Sequence, residues 1–155
     1  MSCPVVLIDR LTQCGWCDAV GFDNYLGGRL AAQYLLEGGH TRIGIVTGDI
    51  AESSAAERRR GFVDAIEQSG KHFDSSLCVE GDYRFDSGYR AANQIIDGGA
   101  TAVFCCNDVM ALGFRQRMAE RGLHVTEDMQ VIGYDNILKR FGLGWRMTTV
   151  EQMRD

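Results

Sequence analysis

The feature that most constrains the fold is an alternation of short apolar runs with amphipathic segments that end at glycine. The apolar runs are mostly continuous, which is typical of parallel strands covered on both faces. They span residues 5–8, 43–47, 77–80, 102–106 and 129–134. Segments with a helical period lie between them, at residues 24–37, 55–69, 87–97 and 109–121. This alternation predicts an α/β fold with a doubly wound, mostly parallel sheet.

Cap signals mark the ends of the predicted helices. Each helix stops at one or two glycines that can adopt the left-handed C-cap conformation, and these are Gly38-Gly39, Gly70, Gly98-Gly99 and Gly122. Ser54 and Glu57 have the spacing of a capping box. The other predicted N-caps are Asn24, Asp86 and Asp108. A short extra strand is predicted at residues 19–22, and the pattern dissolves from about residue 135, so the fold is expected to be incomplete in this chain.

Charge and motifs exclude several classes of function. The chain has 155 residues with 16 basic and 21 acidic side chains, a net charge of −5, whereas a nucleic-acid-binding module usually shows a basic stripe. No apolar run approaches the roughly 20 residues of a membrane-spanning helix, and the start lacks the features of a signal peptide. No nucleophile elbow and no glycine-rich phosphate loop opens a helix. We therefore expect neither an enzyme nor a cofactor or metal, and no membrane partner.

The cysteines indicate a reducing compartment. Six are present, at positions 3, 14, 17, 78, 105 and 106, and several lie in or beside apolar runs. Buried, reduced thiols of this kind are typical of a cytoplasmic protein. Cys14 and Cys17 form a C-x-x-C motif, but four residues separate it from the predicted strand and no helix starts at Cys17. We interpret it as a loop, with a thiol oxidoreductase as the alternative.

Polar residues follow nearly every predicted strand. Because parallel strands end at one edge of the sheet, where ligands bind, these residues are expected to meet there: Asp9, Asp49, Asp82 with Tyr83, Asn107 with Asp108, and Asp135 with Asn136. Ser54 and Arg58 open the helix after the second strand and point to the same edge. Carboxylates, an arginine fork and an aromatic face suit a sugar or a nucleobase. The alternative is that Asp49, Asp86 and Asp108 only cap turns and helices.

Several motifs resemble one family in their order and spacing. They include PVVLID at 4–9, VGFDN at 20–24, GHTRIGIVTG at 39–48, RGF at 60–62, SGY at 87–89, AVFCCNDVMALG at 102–113, VIGYD at 131–135 and TTVEQ at 148–152. The chain resembles the effector-binding domain of the LacI/GalR family of bacterial transcription regulators. The stretch from Gly81 to Gln152 is most similar to ribose and purine repressors.

The resemblance implies a periplasmic-binding-protein type I-like fold with two subdomains, present here as an incomplete fragment. Residues 1–39 would be a remnant of the N-terminal subdomain, 40–150 the C-terminal subdomain, and 151–155 the start of the return crossover. It also implies a small-molecule effector as a partner. Operator DNA would be bound only through an N-terminal domain absent from this chain, and the full-length protein would be a homodimer or tetramer.

The resemblance also implies roles for individual residues. Arg58 would grip ligand oxygens, Asn107 and Asp135 would bond hydroxyls or ring nitrogens, and Tyr83 would stack on the ligand. The remaining ligand-binding candidates are Ser54, Asp9, Asp23 and the cleft-crossing Gln152. Purine repressors carry arginine and threonine where this chain has Glu52 and Ser54, so we expect a sugar more than a nucleobase. A periplasmic sugar-binding protein of a transporter is the alternative function.

Overall fold

The computed structural model describes residues 24–134, which form four parallel strands and four long helices. In chain order these are α1 (Asn24–Glu37), β1 (Ile43–Thr47), α2 (Ser53–Gln68), β2 (Cys78–Glu80), α3 (Phe85–Asp97), β3 (Ala102–Cys105), α4 (Asp108–Glu120) and β4 (Gln130–Gly133). A 3-10 turn, Ser75–Leu77, precedes β2. Leu77, the first residue of the strand predicted at 77–80, belongs to this turn. The predicted strands at 5–8 and 19–22 lie outside the described residues.

The sheet has the strand order β2-β1-β3-β4, and every neighbouring pair is parallel. Ile45 of β1 lies opposite Cys78 of β2 on one side and Phe104 of β3 on the other. Parallel crossovers are right-handed, so the outward step from β1 to β2 and the return to β3 place their helices on opposite faces. Accordingly α1 packs with α2, and α3 packs with α4. The predicted doubly wound α/β architecture is confirmed.

Buried aromatic side chains fill the core where α2 packs against the central strands. Phe62 of α2 is fully buried and stacks on Phe104 of β3, with ring centroids 5.5 Å apart. Phe73 meets the edge of the Phe62 ring at 6.1 Å. All five residues of β1 and all four of β3 are buried. This burial on both faces explains why both strands are continuous apolar runs in the sequence.

Two glycines bring the backbones of α1 and α2 into direct contact. A Cβ added at Gly28 of α1 would lie 2.0 Å from the carbonyl oxygen of Arg58 in α2. A Cβ added at Gly61 of α2 would lie 2.0 Å from the carbonyl oxygen of Tyr25 in α1. Only glycine permits this separation, so the sequence determines how close the two helices approach.

The helix ends confirm the predicted stops but correct the predicted starts. Gly39, Gly70, Gly99 and Gly122 all have positive φ. The capping box at Ser54 was wrong, because α2 already begins at Ser53, and its N-cap Glu52 makes no side-chain cap bond. Asp86 lies in the first turn of α3, whose N-cap is Arg84. Asp108 lies in the first turn of α4, because the side chain of Asn107 accepts from the Met110 N–H and is the cap instead.

The packing of α1 bears on where the subdomain boundary lies. Ala31, Ala32 and Leu35 of α1 have no exposed surface and belong to the same core as the sheet. Within residues 24–134, α1 therefore packs as part of the same unit as the sheet. The division of the whole chain into subdomains stays a prediction.

We expect Gly28→Ala to destabilise the fold by about 1–3 kcal/mol or more, because the new methyl group overpacks the α1–α2 contact. Urea unfolding followed by circular dichroism measures the change. Gly38→Ala is the matched control, since its Cβ would meet nothing closer than 3.5 Å. A loss at Gly28 no larger than the loss at Gly38 would contradict the contact.

Candidate functional site

The carboxyl edge of the sheet contains a topological switch point between β1 and β3. The chain leaves β1 toward β2 on one side and leaves β3 toward β4 on the other. Ligands of open α/β sheets bind in the crevice at such a point. The segments that border it are the loop after β1 with the start of α2, and the loop after β3 with the start of α4.

Arg58 reaches across this crevice from the second turn of α2. Its Nη1 donates to the carbonyl oxygen of Cys106, after β3, at 2.9 Å, and its Nε donates to Oδ1 of Asn24 in α1 at 2.9 Å. The guanidinium lies 3.8 Å from the centroid of the Tyr134 ring. Arg58 is only 9% exposed, so its donors are held in one orientation beside the switch point.

Tyr83 lies on the other side of the crevice in a strained backbone conformation. Its φ is +70°, which is unusual for a residue with a bulky side chain and is found most often at functional sites. The ring covers the bare backbone of Gly48, where an added Cβ would be 1.9 Å from Cζ. Burial raises the pKa of the Tyr83 phenol, while the nearby Arg58 cation and Ser54 hydroxyl oppose that rise. The phenol therefore stays protonated at neutral pH.

Asn107 joins Tyr83 to α4. Its Nδ2 donates to the Tyr83 carbonyl oxygen at 3.0 Å, and its Oδ1 accepts from the Met110 N–H at 2.8 Å. An amide has two donor hydrogens and two acceptor lone pairs. Counting partners within residues 24–134, one donor and one acceptor therefore remain for a further partner, while the side chain is already fixed by the two bonds it makes.

Some acidic residues at this edge accept hydrogen bonds that close turns, and others lie in the first turn of a helix. Asp49 accepts from the Ala51 N–H at 3.0 Å and so closes a turn. Asp82 likewise accepts from the Arg84 N–H at 3.0 Å, and this bond lowers the pKa of the Asp82 carboxyl. The capping interpretation is thus confirmed for Asp49. Asp86 and Asp108 instead lie in the first helical turns, where a negative charge is favoured.

The structure brings four of the predicted site residues together: Ser54, Arg58, Tyr83 and Asn107. Four others lie outside the described residues: Asp9, Asp23, Asp135 and Gln152. Sequence reasoning missed Tyr134 and the contact of Asn24 with Arg58. The glycine at position 27 makes room for the Tyr134 ring, because an added Cβ there would be 2.7 Å from Cε1 of Tyr134.

The described cysteines are reduced. Cys105 and Cys106 are fully buried and Cys78 is half-buried, and all three are free. Burial raises the pKa of the Cys106 thiol to about 12 and moves the pKa of Cys105 in the same direction. Cys14 and Cys17 lie outside the described residues, so their interpretation stays a prediction.

Among residues 24–134, no group of three or more His, Cys, Asp or Glu side chains could hold a metal ion. No helix in the same range is long and apolar enough to span a membrane.

A family model and curated relatives of similar sequence point to the same kind of protein. Residues 32–153 match the model of the periplasmic binding protein-like domain. The HTH-type transcriptional repressor PurR of Pasteurella multocida (strain Pm70) is 37% identical over 155 residues, which is 99% of this chain and 46% of that protein. The PurR repressor of Escherichia coli O1:K1 / APEC is also 37% identical over 155 residues, covering 98% of this chain and 46% of the relative. The chain therefore spans about half the length of these curated relatives, which are named as repressors and not as enzymes.

Solved structures agree with the sequence relatives. A sugar-binding transcriptional regulator (LacI family) from Escherichia coli, complexed with phosphate, has a TM-score of 0.68 at 31% identity, over 72% of this chain and 41% of that one. A complex of the transcriptional regulator CelR with cellobiose has a TM-score of 0.69 at 35% identity, over 72% of this chain and 35% of that one.

Asn107→Ala should destabilise the fold by about 1–2 kcal/mol, because it removes the α4 cap and the bond to the Tyr83 carbonyl. Asn107→Ser should cost less, since serine also caps helices but is too short to reach Tyr83. Urea unfolding compares the two variants. Equal losses would show that the cap contributes nothing.

Thiol labelling tests the burial of the cysteines. In a chain with Cys3, Cys14 and Cys17 replaced by Ser, we expect only Cys78 to react quickly with a disulfide reagent at about pH 8, because buried, protonated thiols are inert. All three remaining thiols should react once the chain is denatured. A second fast thiol in the native chain would contradict the buried positions of Cys105 and Cys106.

Proposed function

The chain belongs to the periplasmic binding protein-like family in the form carried by LacI-family transcriptional regulators, and from this premise we propose that it senses a small-molecule effector. The observation that carries the proposal is the convergence of Arg58, Tyr83 and Asn107 at the switch point between β1 and β3. These side chains offer a cationic donor, an aromatic face and an amide within one crevice. A small ring compound with polar substituents fits that combination.

We propose a neutral sugar as the effector class. Glu52 supports this, because it lies at the N-cap of α2, which borders the switch point, and carboxylates accept hydrogen bonds from sugar hydroxyls. Neighbours described as sugar-binding and as a cellobiose complex also support it. A nucleobase is the second candidate, favoured by the relatives named PurR, and it would use the same aromatic face.

In the proposed mechanism the effector shifts a conformational equilibrium. Closure around the ligand would move the two subdomains and change the affinity of the intact regulator for operator DNA through a coupling free energy. DNA binding, assembly as a dimer or tetramer, and a cytoplasmic location belong to the same proposal. An exported sugar-binding protein would share the fold but lack the DNA response, since fold alone does not fix function.

Calorimetric titration of the intact protein tests the proposal. D-ribose, D-galactose and cellobiose serve as sugar probes, and hypoxanthine and adenine serve as nucleobase probes. Each is then added to the protein on its operator DNA. We expect a probe from one class to bind and to change the DNA affinity. Binding without any DNA response would support the exported protein, and no binding by either class would overturn the effector proposal.

Arg58→Ala should weaken binding of that probe by about 1.5–3 kcal/mol, the range for a hydrogen bond to a charged group. This corresponds to a dissociation constant about 10- to 150-fold higher. Arg59→Ala is the matched control, because Arg59 is exposed on the same helix and its Nε donates instead to Sγ of Cys78. Unchanged affinity in Arg58→Ala, measured by calorimetry, would exclude Arg58 as a ligand contact.

A further inference from the structure

The partners of Arg58 among residues 24–134 share one property, which is that all of them are neutral. Nε donates to the amide oxygen of Asn24, Nη1 donates to the carbonyl oxygen of Cys106, and the guanidinium lies on the Tyr134 ring. Each partner belongs to a different part of the fold: α1, the loop after β3, and the end of β4. No carboxylate of residues 24–134 forms an ion pair with Arg58.

These contacts determine the direction of the remaining donors. A guanidinium is planar and its nitrogens have a fixed relative geometry. Once Nε and Nη1 are bound to two acceptors and the plane rests on a ring, Nη2 has a single direction. Within the described part of the chain no hydrogen-bond partner is seen for Nη2. Among residues 24–134, therefore, nothing competes with a ligand for its hydrogens.

These neutral partners also leave the positive charge of Arg58 without an opposing negative charge among residues 24–134. The side chain is 9% exposed, and a cation in such a low-dielectric setting forms stronger hydrogen bonds than one in water. A carboxylate partner would neutralise the charge and compete for the donors. An amide, a carbonyl and an aromatic ring orient the guanidinium without neutralising it.

We propose that Tyr134 and Asn24 are positioning residues that hold Arg58 so that Nη2 faces an acceptor oxygen or nitrogen of the effector. This inference rests on the proposed function of the site and adds two residues that act on the effector only through Arg58. The ring of Tyr134 is itself placed by Gly27, where an added Cβ would lie 2.7 Å from Cε1. Both positioning contacts therefore depend on α1.

A second arginine–tyrosine stack in the same chain provides the control. Arg60 lies 4.3 Å from the centroid of the Tyr25 ring, but Arg60 is exposed and also pairs with Glu57. Tyr25→Leu removes a stack of the same kind, between α1 and α2, that does not involve Arg58. It should leave effector affinity unchanged.

A double-mutant cycle in the intact protein tests the proposal, with D-ribose and hypoxanthine as the probes. We expect Tyr134→Leu to weaken binding about tenfold, which matches a partly desolvated cation–π contact. Tyr134→Phe keeps the ring and should restore most of the affinity. In an Arg58→Met background, which removes the cation that stacks on the ring, Tyr134→Leu should cause no further loss. Additive losses would overturn the proposal, because they would show that Tyr134 acts independently of Arg58.

A ligand-free measurement keeps the proposal testable whatever the effector is. The Nε–H resonance of Arg58 is identified in a nitrogen-15 spectrum by its absence from Arg58→Lys. We expect slow exchange with water in the wild type, and fast exchange in Asn24→Ala, which removes the acceptor without disturbing the core. The same slow exchange in Asn24→Ala and Tyr134→Leu would overturn the positioning role.

The two arms separate failure of the inference from failure of the proposed function. If neither probe binds while the exchange results are as expected, Arg58 is held as proposed but the proposed effector function fails. If a probe binds and the cycle is additive, the effector site stands and the positioning role is rejected. Should Tyr134→Leu fail to fold, Asn24→Ala takes its place in the cycle.

Discussion

The change of direction between β1 and β3 is the constraint on which the rest of this structure depends. Because all four strands are parallel, every loop that follows a strand lies at one edge of the sheet. Because the chain leaves β1 and β3 in opposite directions, no crossover among the described elements covers the space between their carboxyl ends. The strand order therefore places the side chains that border this crevice close together, although they are far apart in sequence.

Close helix packing then converts a shared edge into a defined site. The glycine contact between α1 and α2 brings Asn24 within hydrogen-bond distance of Arg58, 34 residues away. On the opposite side of the crevice the positive φ of Tyr83 is held by the Asn107 side chain and by the bare backbone of Gly48. Backbone strain and a buried charge both cost stability, which is consistent with a site that is fixed before a ligand arrives.

The sequence predicted some features better than others for identifiable reasons. The bounds of β1 could be predicted from its apolar run, and the end of each described helix from the glycine that follows it. Both features depend only on residues that are neighbours in sequence. The starts of α2 and α4 could not be predicted in this way, because Ser54 and Asp108 have the composition of a cap, whereas Glu52 and Asn107 occupy the N-cap positions. Arg58, Tyr83 and Asn107 could be placed at one edge by counting strands. The stacking of Arg58 on Tyr134 could not, because it joins residues 58 and 134 through the packing of three separate elements.

Hydrogen–deuterium exchange of the intact protein, with and without bound D-ribose or hypoxanthine, tests most directly the claim that the switch-point edge is the effector site. A bound probe should protect backbone amides at residues 48–58, 81–87 and 106–110. Amides at the opposite edge, residues 39–43 and 98–101, should exchange at unchanged rates. Protection confined to the opposite edge, or spread evenly over both, would contradict an effector site at the switch-point edge.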